Sequence, residues 1–179
     1  MTETDLIKGC IQKDKTCQRQ LFEQYAGKMM SVCLRFANDQ HQAQDILQES
    51  FIKVFSYIHQ FKFEGSFEGW LRKVFVSVAI RHTRKRKMNF DSIDIHYTDN
   101  ATVDPSVLSK ISEEEIHTLI RKLPDGYRIV FNLNIIEGYS HEEIAQLLGI
   151  QVVTSRTQLL KARKMLQALI SKQLNIIAA

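Results

Sequence analysis

The sequence is poor in the residues that interrupt helices. Of 179 residues, only 7 are Gly and 2 are Pro. Because chain reversals depend heavily on these two residue types, their scarcity favours helices with few connections. No apolar stretch is long enough to span a membrane, and the N-terminal residues lack the apolar run of a signal peptide. We therefore expect an all-α, cytoplasmic chain with no membrane insertion of its own.

Cysteine and the motifs of common active sites are also scarce. The 3 Cys residues, Cys10, Cys17 and Cys33, form no CxxC pair and are not spaced like metal ligands, which favours ordinary reduced thiols. The sequence has no GxSxG, P-loop or HExxH motif, and its 6 His are dispersed. Asp45 and Glu49 lie one helical turn apart, but no acid–base partner follows them. We therefore expect no enzyme, no metal site and no cofactor.

Charge of one sign is missing from long parts of the chain. The formal net charge is only +4, so its distribution says more than its total. Residues 72–87 contain Lys and Arg without any acid, whereas residues 88–115 carry many acids and a single Lys. After Glu143 no Asp or Glu occurs. These changes predict two small helical domains, at residues 1–88 and 112–179, joined by an acidic flexible linker at residues 89–111.

Apolar residues at helical spacing predict a small bundle in the first domain. The clearest stripe lies within residues 42–58 and recurs every three or four positions, as on the buried face of a helix. The opposite face carries Asp45, Gln48 and Glu49 around Ile52. A solvated face is the ordinary interpretation. An apolar centre with a carboxylate rim would also suit docking of a basic partner.

A loop of the first domain concentrates aromatic rings beside a basic helix. Phe61, Phe63, Phe67 and Trp70 lie within ten residues of one another, and the basic run RHTRKRK follows. Aromatic rings next to Lys and Arg can stack unpaired bases while the cations hold phosphates. Alternatively, the rings close the core and the basic run is a solvated helix end. We expect Phe67 and Trp70 in the core and leave Phe61 and Phe63 open to either role.

The second domain contains a pattern typical of a DNA-binding helix-turn-helix. We expect helices at about residues 113–123, 127–136, 141–148 and 152–169. Ser140 and Glu143 have the spacing of a capping box, and Gly149 suits the left-handed turn that ends a helix. The helix that starts near Val152 carries basic charge only. A helical hairpin with a solvated basic helix is the alternative, but the combination favours DNA binding.

Three segments, in this order, resemble the bacterial RNA polymerase sigma factors of the extracytoplasmic-function group. AQDILQESFIKVF is similar to the region that docks on the polymerase clamp, and FEGSFEGWLRKVFVSVAIRHTRKRK to the promoter-melting region. LPDGYRIVFNLNIIEGYSHEEIAQLLGI, with the helix after it, is similar to the C-terminal DNA-binding module. The resemblance implies a non-catalytic subunit that binds RNA polymerase core, through the beta-prime clamp and beta flap, as well as promoter DNA and an anti-sigma factor. It also implies that the first domain opens the minus-ten element and the second reads the minus-thirty-five element.

The resemblance assigns site residues by position. The polymerase-docking residues it implies are Asp45, Gln48, Glu49 and Ile52. The base-capturing loop it implies comprises Phe61, Lys62, Phe63, Glu64, Gly65 and Ser66, and the strand-facing side of the basic helix comprises Ser77, Arg81, Arg84 and Lys85. The recognition-helix residues it implies are Thr154, Arg156, Thr157, Leu160, Lys161, Arg163 and Lys164.

The sequence departs from the pattern of this family at several positions. Ser77 stands where Asn is frequent, which puts the usual contact to the melted strand in doubt. Gln151 and Val153 stand where Ser and Gly are usual. Loss of that Ser weakens a helix N-cap by about 1 kcal/mol, and we expect Thr154 to take over the role. Ser155 occupies a position that normally buries Val or Ile.

Two other functions are compatible with the same features. One is a stand-alone helix-turn-helix regulator with a helical regulatory domain. The other is an interaction protein that docks on polymerase and blocks it. The polar-rimmed face within residues 42–58 and the aromatic loop favour the sigma factor, because a lone repressor needs neither.

Overall fold

The computed structural model describes residues 2–85 and 112–177, and every regular element in these ranges is helical. The all-α prediction is therefore confirmed for this part of the chain. The residues fall into two compact units, divided between residues 86 and 87. The acidic linker expected at residues 89–111 lies outside the described residues, so its boundaries stay a prediction.

The first unit is a bundle whose helices begin at capping side chains. Its elements are α1 (Glu3–Ile11), α2 (Lys15–Phe36), α3 (Gln40–Tyr57), a 3-10 turn (Ile58–Gln60) and α4 (Phe67–Lys85). The side chains of Thr2, Asp14 and Asp39 each accept a hydrogen bond from a backbone N–H in the first turn of the helix that follows. Such caps satisfy donors that the helix itself cannot pair, and they fix where each helix starts.

The core of the first unit lies between α2, α3 and α4. Helix α2 packs against α1, α3 and α4, and α3 also packs against α4. Leu21, Met29, Ile46 and Phe75 are completely buried there. The rings of Phe51 and Phe75 meet edge to face, with centroids 5.2 Å apart, across the α3–α4 contact. The outward faces of α3 and α4 remain on the surface of this unit.

The second unit is built on its last helix. Its elements are α5 (Glu113–Arg121), α6 (Asp125–Phe131), a π-helical turn (Asn132–Ile136), α7 (His141–Leu148) and α8 (Val152–Ile177). Helix α8 packs against α5, α6 and α7, and its Ala162 and Leu166 join a core with Leu119, Leu123 and Tyr127. The predicted helices are confirmed, although the last continues to Ile177 instead of ending near residue 169.

Helix α8 starts before the residue expected to cap it. The Ser155 N–H donates to the Gln151 carbonyl (3.1 Å), so Gln151 holds the N-cap position. Thr154 lies inside the first turn, and the expectation that it caps the helix is wrong. The reason is the turn before it: Gly149 adopts the left-handed conformation (φ 68°, ψ 38°), which ends α7 and lets α8 begin at Val152.

No helix within residues 2–85 and 112–177 combines the length and the apolar character needed to cross a membrane.

Candidate nucleic-acid and protein interfaces

The outer face of α3 has an apolar centre and a polar rim, as the sequence predicted. Ile52 is 67% exposed, and Asp45 and Gln48 are exposed beside it. His41 Nδ1 lies 3.3 Å from Asp45 Oδ2 on the same surface. A single exposed isoleucine is ordinary on a protein surface, and here it stands at the centre of the polar rim. We call Asp45, Gln48 and Ile52 the α3 face.

Glu49, which was predicted to belong to this face, instead links α3 to α4. The carboxylate is half-buried, forms an ion pair with Arg81 and lies 2.5 Å from Nε2 of His82. Two side chains assigned by sequence to separate surfaces, Glu49 and Arg81, are therefore in direct contact. Glu49 holds the two helices together and is less available to an external partner than Asp45.

The aromatic loop separates into core rings and one exposed ring. Phe61 is only 7% exposed, and its ring centroid lies 5.2 Å from those of Phe63 and Phe67 and 5.8 Å from that of Trp70. Phe67 is completely buried, and Trp70 is half-buried, stacked on Phe67. Phe63 is 45% exposed. Phe61, predicted as a base-capturing residue, therefore supports the loop from within, and Phe63 is the ring presented to solvent.

The backbone of this loop is unusual at Phe63. Its φ is +60°, a left-handed conformation that costs a non-glycine residue about 1–2 kcal/mol. Gly65 (φ +78°) also adopts positive φ, and Ser66 Oγ accepts a hydrogen bond from the Gly69 N–H (3.3 Å) at the start of α4. Lys62 and Glu64, which precede and follow Phe63, are exposed. Strain of this kind persists where surrounding contacts enforce it, and it is frequent in ligand-binding loops.

The exposed side of α4 forms a stripe in line with the helix axis. Ser77, Arg81 and Arg84 are spaced four and three residues apart, which places them on one face, and all three are exposed. The opposite face, with Phe75 and Val78, is buried. The side chain of Lys85, also predicted in this stripe, lies outside the described residues, as does the rest of the basic run. The described part is a polar and cationic surface suited to a phosphate backbone.

The helix-turn-helix predicted in the second unit is confirmed. Ser140 and Glu143 form the expected capping box at the start of α7. Hydrogen bonding to the backbone N–H of Glu142 itself holds the pKa of that carboxyl below its usual value, and the nearby Arg156 contributes to the shift. Arg156 Nη2 lies 3.4 Å from Glu142 Oε1, an exposed and long contact that DNA could replace.

A polar contact replaces the apolar residue expected at Ser155. Ser155 is completely buried, and its Oγ lies 2.8 Å from Nδ1 of His141. The hydrogen bond connects the first residue of α7 to the first turn of α8. A buried hydroxyl without a partner would be destabilising, so His141 makes this departure from the family pattern tolerable.

The outward face of α8 presents most of the predicted DNA-binding residues. Exposed side chains on α8 include Arg156, Thr157, Leu160, Arg163 and Lys164, whereas Thr154 and Lys161 are half-buried. Val153, which sequence reasoning did not include, is 68% exposed and lies on the same face. Val153 lies four residues before Thr157 and seven before Leu160, a spacing that places all three on one helix face and could have identified it.

The described residues offer little to support metal or thiol chemistry. Within residues 2–85 and 112–177, no group of three or more His, Cys, Asp and Glu side chains is placed to hold a metal ion. The three thiols are free, and burial raises the pKa of Cys10 to about 11 and that of Cys33 to about 12.

Comparison with known families agrees with the division into two units. The Sigma-70 region 2 family matches residues 21–88, and the Sigma-70, region 4 family matches residues 113–166. The chain is 27% identical to the ECF RNA polymerase sigma-E factor of Haemophilus influenzae, over 93% of this chain and 94% of the relative. It is 28% identical to the ECF RNA polymerase sigma factor SigW of Bacillus subtilis, over 90% and 92% of the two chains.

Two solved structures share the fold of this chain. The sigma factor RpoE of Bartonella quintana, determined in complex with the anti-sigma factor NepR, has a TM-score of 0.54 at 18% identity, over 86% of this chain and 96% of that chain. CnrH, determined in complex with the cytosolic domain of CnrY, has a TM-score of 0.51 at 19% identity, over 93% and 96%. At these identities the similarity supports the fold.

Proposed function

The chain belongs to the RNA polymerase sigma factors of the extracytoplasmic-function type, the non-catalytic initiation factors that direct transcription, and from this we infer how its surfaces divide that work. The observation that carries the inference is the presence of both sigma regions in the family's order, each with its contact surface exposed. We propose that the chain is an alternative sigma factor with no catalytic group of its own.

In this proposal, the first unit binds RNA polymerase core and opens DNA. The α3 face supplies an apolar centre, Ile52, with polar groups that orient the partner. We assign the exposed Phe63 to stacking on a base that has left the duplex, and Arg84 with the exposed stripe of α4 to holding the strand. Arg81, whose ion pair with Glu49 leaves its side chain 45% exposed, lies on the same stripe.

The second unit reads the upstream promoter element. Helix α8 follows the Gly149 turn and carries no acid, so its N-terminal half suits the major groove of a polyanion. We assign the exposed Arg156 and Thr157 to base edges, and the exposed Arg163 and Lys164, further along the helix, to phosphates. A linker at residues 89–111, between domains at 1–88 and 112–179, would let both units reach their elements.

The expected partners follow from the same assignment. RNA polymerase core, through its beta-prime clamp and beta flap, and promoter DNA are required for initiation. An anti-sigma factor is proposed because the structurally similar RpoE is bound to one. The site of action proposed is the cytoplasm, where the polymerase works.

A selection experiment tests the proposal. A library of random duplex DNA is incubated with the chain alone, with purified bacterial core polymerase alone, and with both. A sigma factor enriches sequences that share two separated elements only when both proteins are present. Enrichment of one element by the chain alone would instead indicate a stand-alone regulator. No enrichment in any of the three incubations, together with a loss of core polymerase activity, would indicate an inhibitor.

A further inference from the structure

The DNA-facing side of α8 has an apolar line at its centre. Val153 and Leu160 are 68% and 55% exposed, although both are large aliphatic side chains. They lie seven residues apart, which is almost two full helical turns, so both project along the same line of the helix. The opposite side of α8, with Leu159 and Ala162, is the one that packs into the unit.

The surroundings of this line indicate which partner it fits. Arg156 and Thr157 flank it on either side, and α8 contains no acid at all. A cation beside aliphatic groups, on a helix without acids, is suited to a polyanion that also presents an apolar group. In the major groove of DNA, that group is the C5-methyl of thymine.

We propose that Val153 and Leu160 read thymine methyl groups in the upstream promoter element. The inference rests on the proposed function, in which α8 enters the major groove. Val153 lies in the first turn of the helix, where recognition helices contact base edges. Seven residues rise about 10 Å along the helix, which corresponds to about three base pairs. The element therefore contains thymines, on either strand, at two positions about three base pairs apart.

The hydroxyl of Thr157 does not compete for this role. Its Oγ1 donates to the Val153 carbonyl (2.9 Å), so the hydroxyl hydrogen is used within the helix. Arg156 keeps the hydrogen-bonding contribution, since its contact to Glu142 is exposed and long. The side chains on this face thus combine the polar groups of Arg156 and Thr157 with two aliphatic side chains.

Replacement of thymine by uracil tests the proposal directly, because it removes the methyl group and leaves base pairing unchanged. Promoters with a single substitution at each upstream thymine are titrated with holoenzyme assembled from core polymerase and the full chain. Burial of one methyl predicts a loss of about fourfold in affinity at two positions. With Val153→Ala the loss disappears at one position, and with Leu160→Ala at the other. The matched control, Lys164→Ala, weakens binding to all promoters alike and keeps both sensitivities.

The outcomes separate this inference from the proposed function. If holoenzyme initiates at a defined promoter but no uracil substitution changes affinity, the inference is wrong and the sigma-factor function stands. The same holds if Val153→Ala and Leu160→Ala retain the full methyl sensitivity. If holoenzyme selects no promoter, the proposed function fails and the inference fails with it. Thermal unfolding of both variants, whose side chains are exposed, checks that the unit remains folded.

Discussion

Replacement of Phe63 by glycine should leave the first unit folded while impairing promoter opening. Glycine adopts φ near +60° without penalty, so Phe63→Gly removes about 1–2 kcal/mol of backbone strain. Against this, the variant loses the contact of Phe63 with Phe61, an aromatic pair worth about 0.5–1.5 kcal/mol beyond its buried area, and about 1 kcal/mol from the burial of half of the ring. Glycine also raises the entropy of the unfolded chain, which destabilises the variant by about 0.4–1 kcal/mol. The losses exceed the relief of strain, so the free energy of unfolding should fall by about 1–2 kcal/mol, less than the loss expected for a core ring.

The neighbouring ring provides the matched comparison. Phe61 is buried and contacts three other rings, so Phe61→Ala should reduce the free energy of unfolding by about 3–5 kcal/mol. Loss of stacking on one flipped base should cost Phe63→Gly about 1–3 kcal/mol in opening, a factor of about 5 to 150. Stability and function thus separate between two adjacent aromatic residues.

Chemical denaturation measures the stability of each variant, and permanganate footprinting of holoenzyme on promoter DNA measures opening. The defect of Phe63→Gly should be large on duplex DNA and small on a pre-melted promoter, where the unpairing cost has been removed. If the Phe63→Gly variant opens the duplex promoter as well as the wild type does, this loop is not a melting element. A loss of several kcal/mol in stability would show that Phe63 is part of the core.

Three further predictions concern the other surfaces. The double variant Asp45→Arg with Ile52→Asp should weaken binding to core polymerase by about tenfold or more, as titration with labelled core measures. Its melting temperature should not fall, because both side chains are exposed. Ser155→Ala should destabilise the second unit by about 1 kcal/mol. His141→Ala should then cost less stability in the Ser155→Ala background than in the wild type, which a double-mutant cycle of unfolding free energies measures. Hydrogen bonds from Ser112, chiefly from its backbone N–H, lower the pKa of Glu115. The resulting stabilisation is present above the unfolded pKa of ~4.3 and is lost as the pH falls through the folded pKa. Glu115→Gln should therefore reduce the fall of the melting temperature at acidic pH.

Local sequence signals predicted the helices because their causes are local. Ser140 with Glu143 marks a helix start through hydrogen bonds that span three residues. Gly149 marks a helix end through its own backbone conformation. The outward and buried faces also follow from spacing alone, which is why the exposed sides of α3 and α8 were largely predicted.

The contacts between helices could not be predicted in the same way. Nothing in the spacing of Glu49 indicates that it meets Arg81 on another helix, and this contact decides that Asp45 is the more accessible carboxylate. Phe61 and Phe63 have equal aromatic character, and only packing against Phe67 and Trp70 determines which ring is buried. Both outcomes depend on tertiary packing that the order of residues does not encode locally.

Transcription from genomic DNA fragments, with the 5′ ends of the RNA sequenced, tests the central claim most directly. Purified core polymerase with the chain should start at a defined set of sites that share two upstream elements, whereas core alone should not. Adding the Phe63→Gly variant should yield the same sites at lower output. Start sites that are identical with and without the chain would contradict its assignment as the subunit that directs promoter-specific initiation.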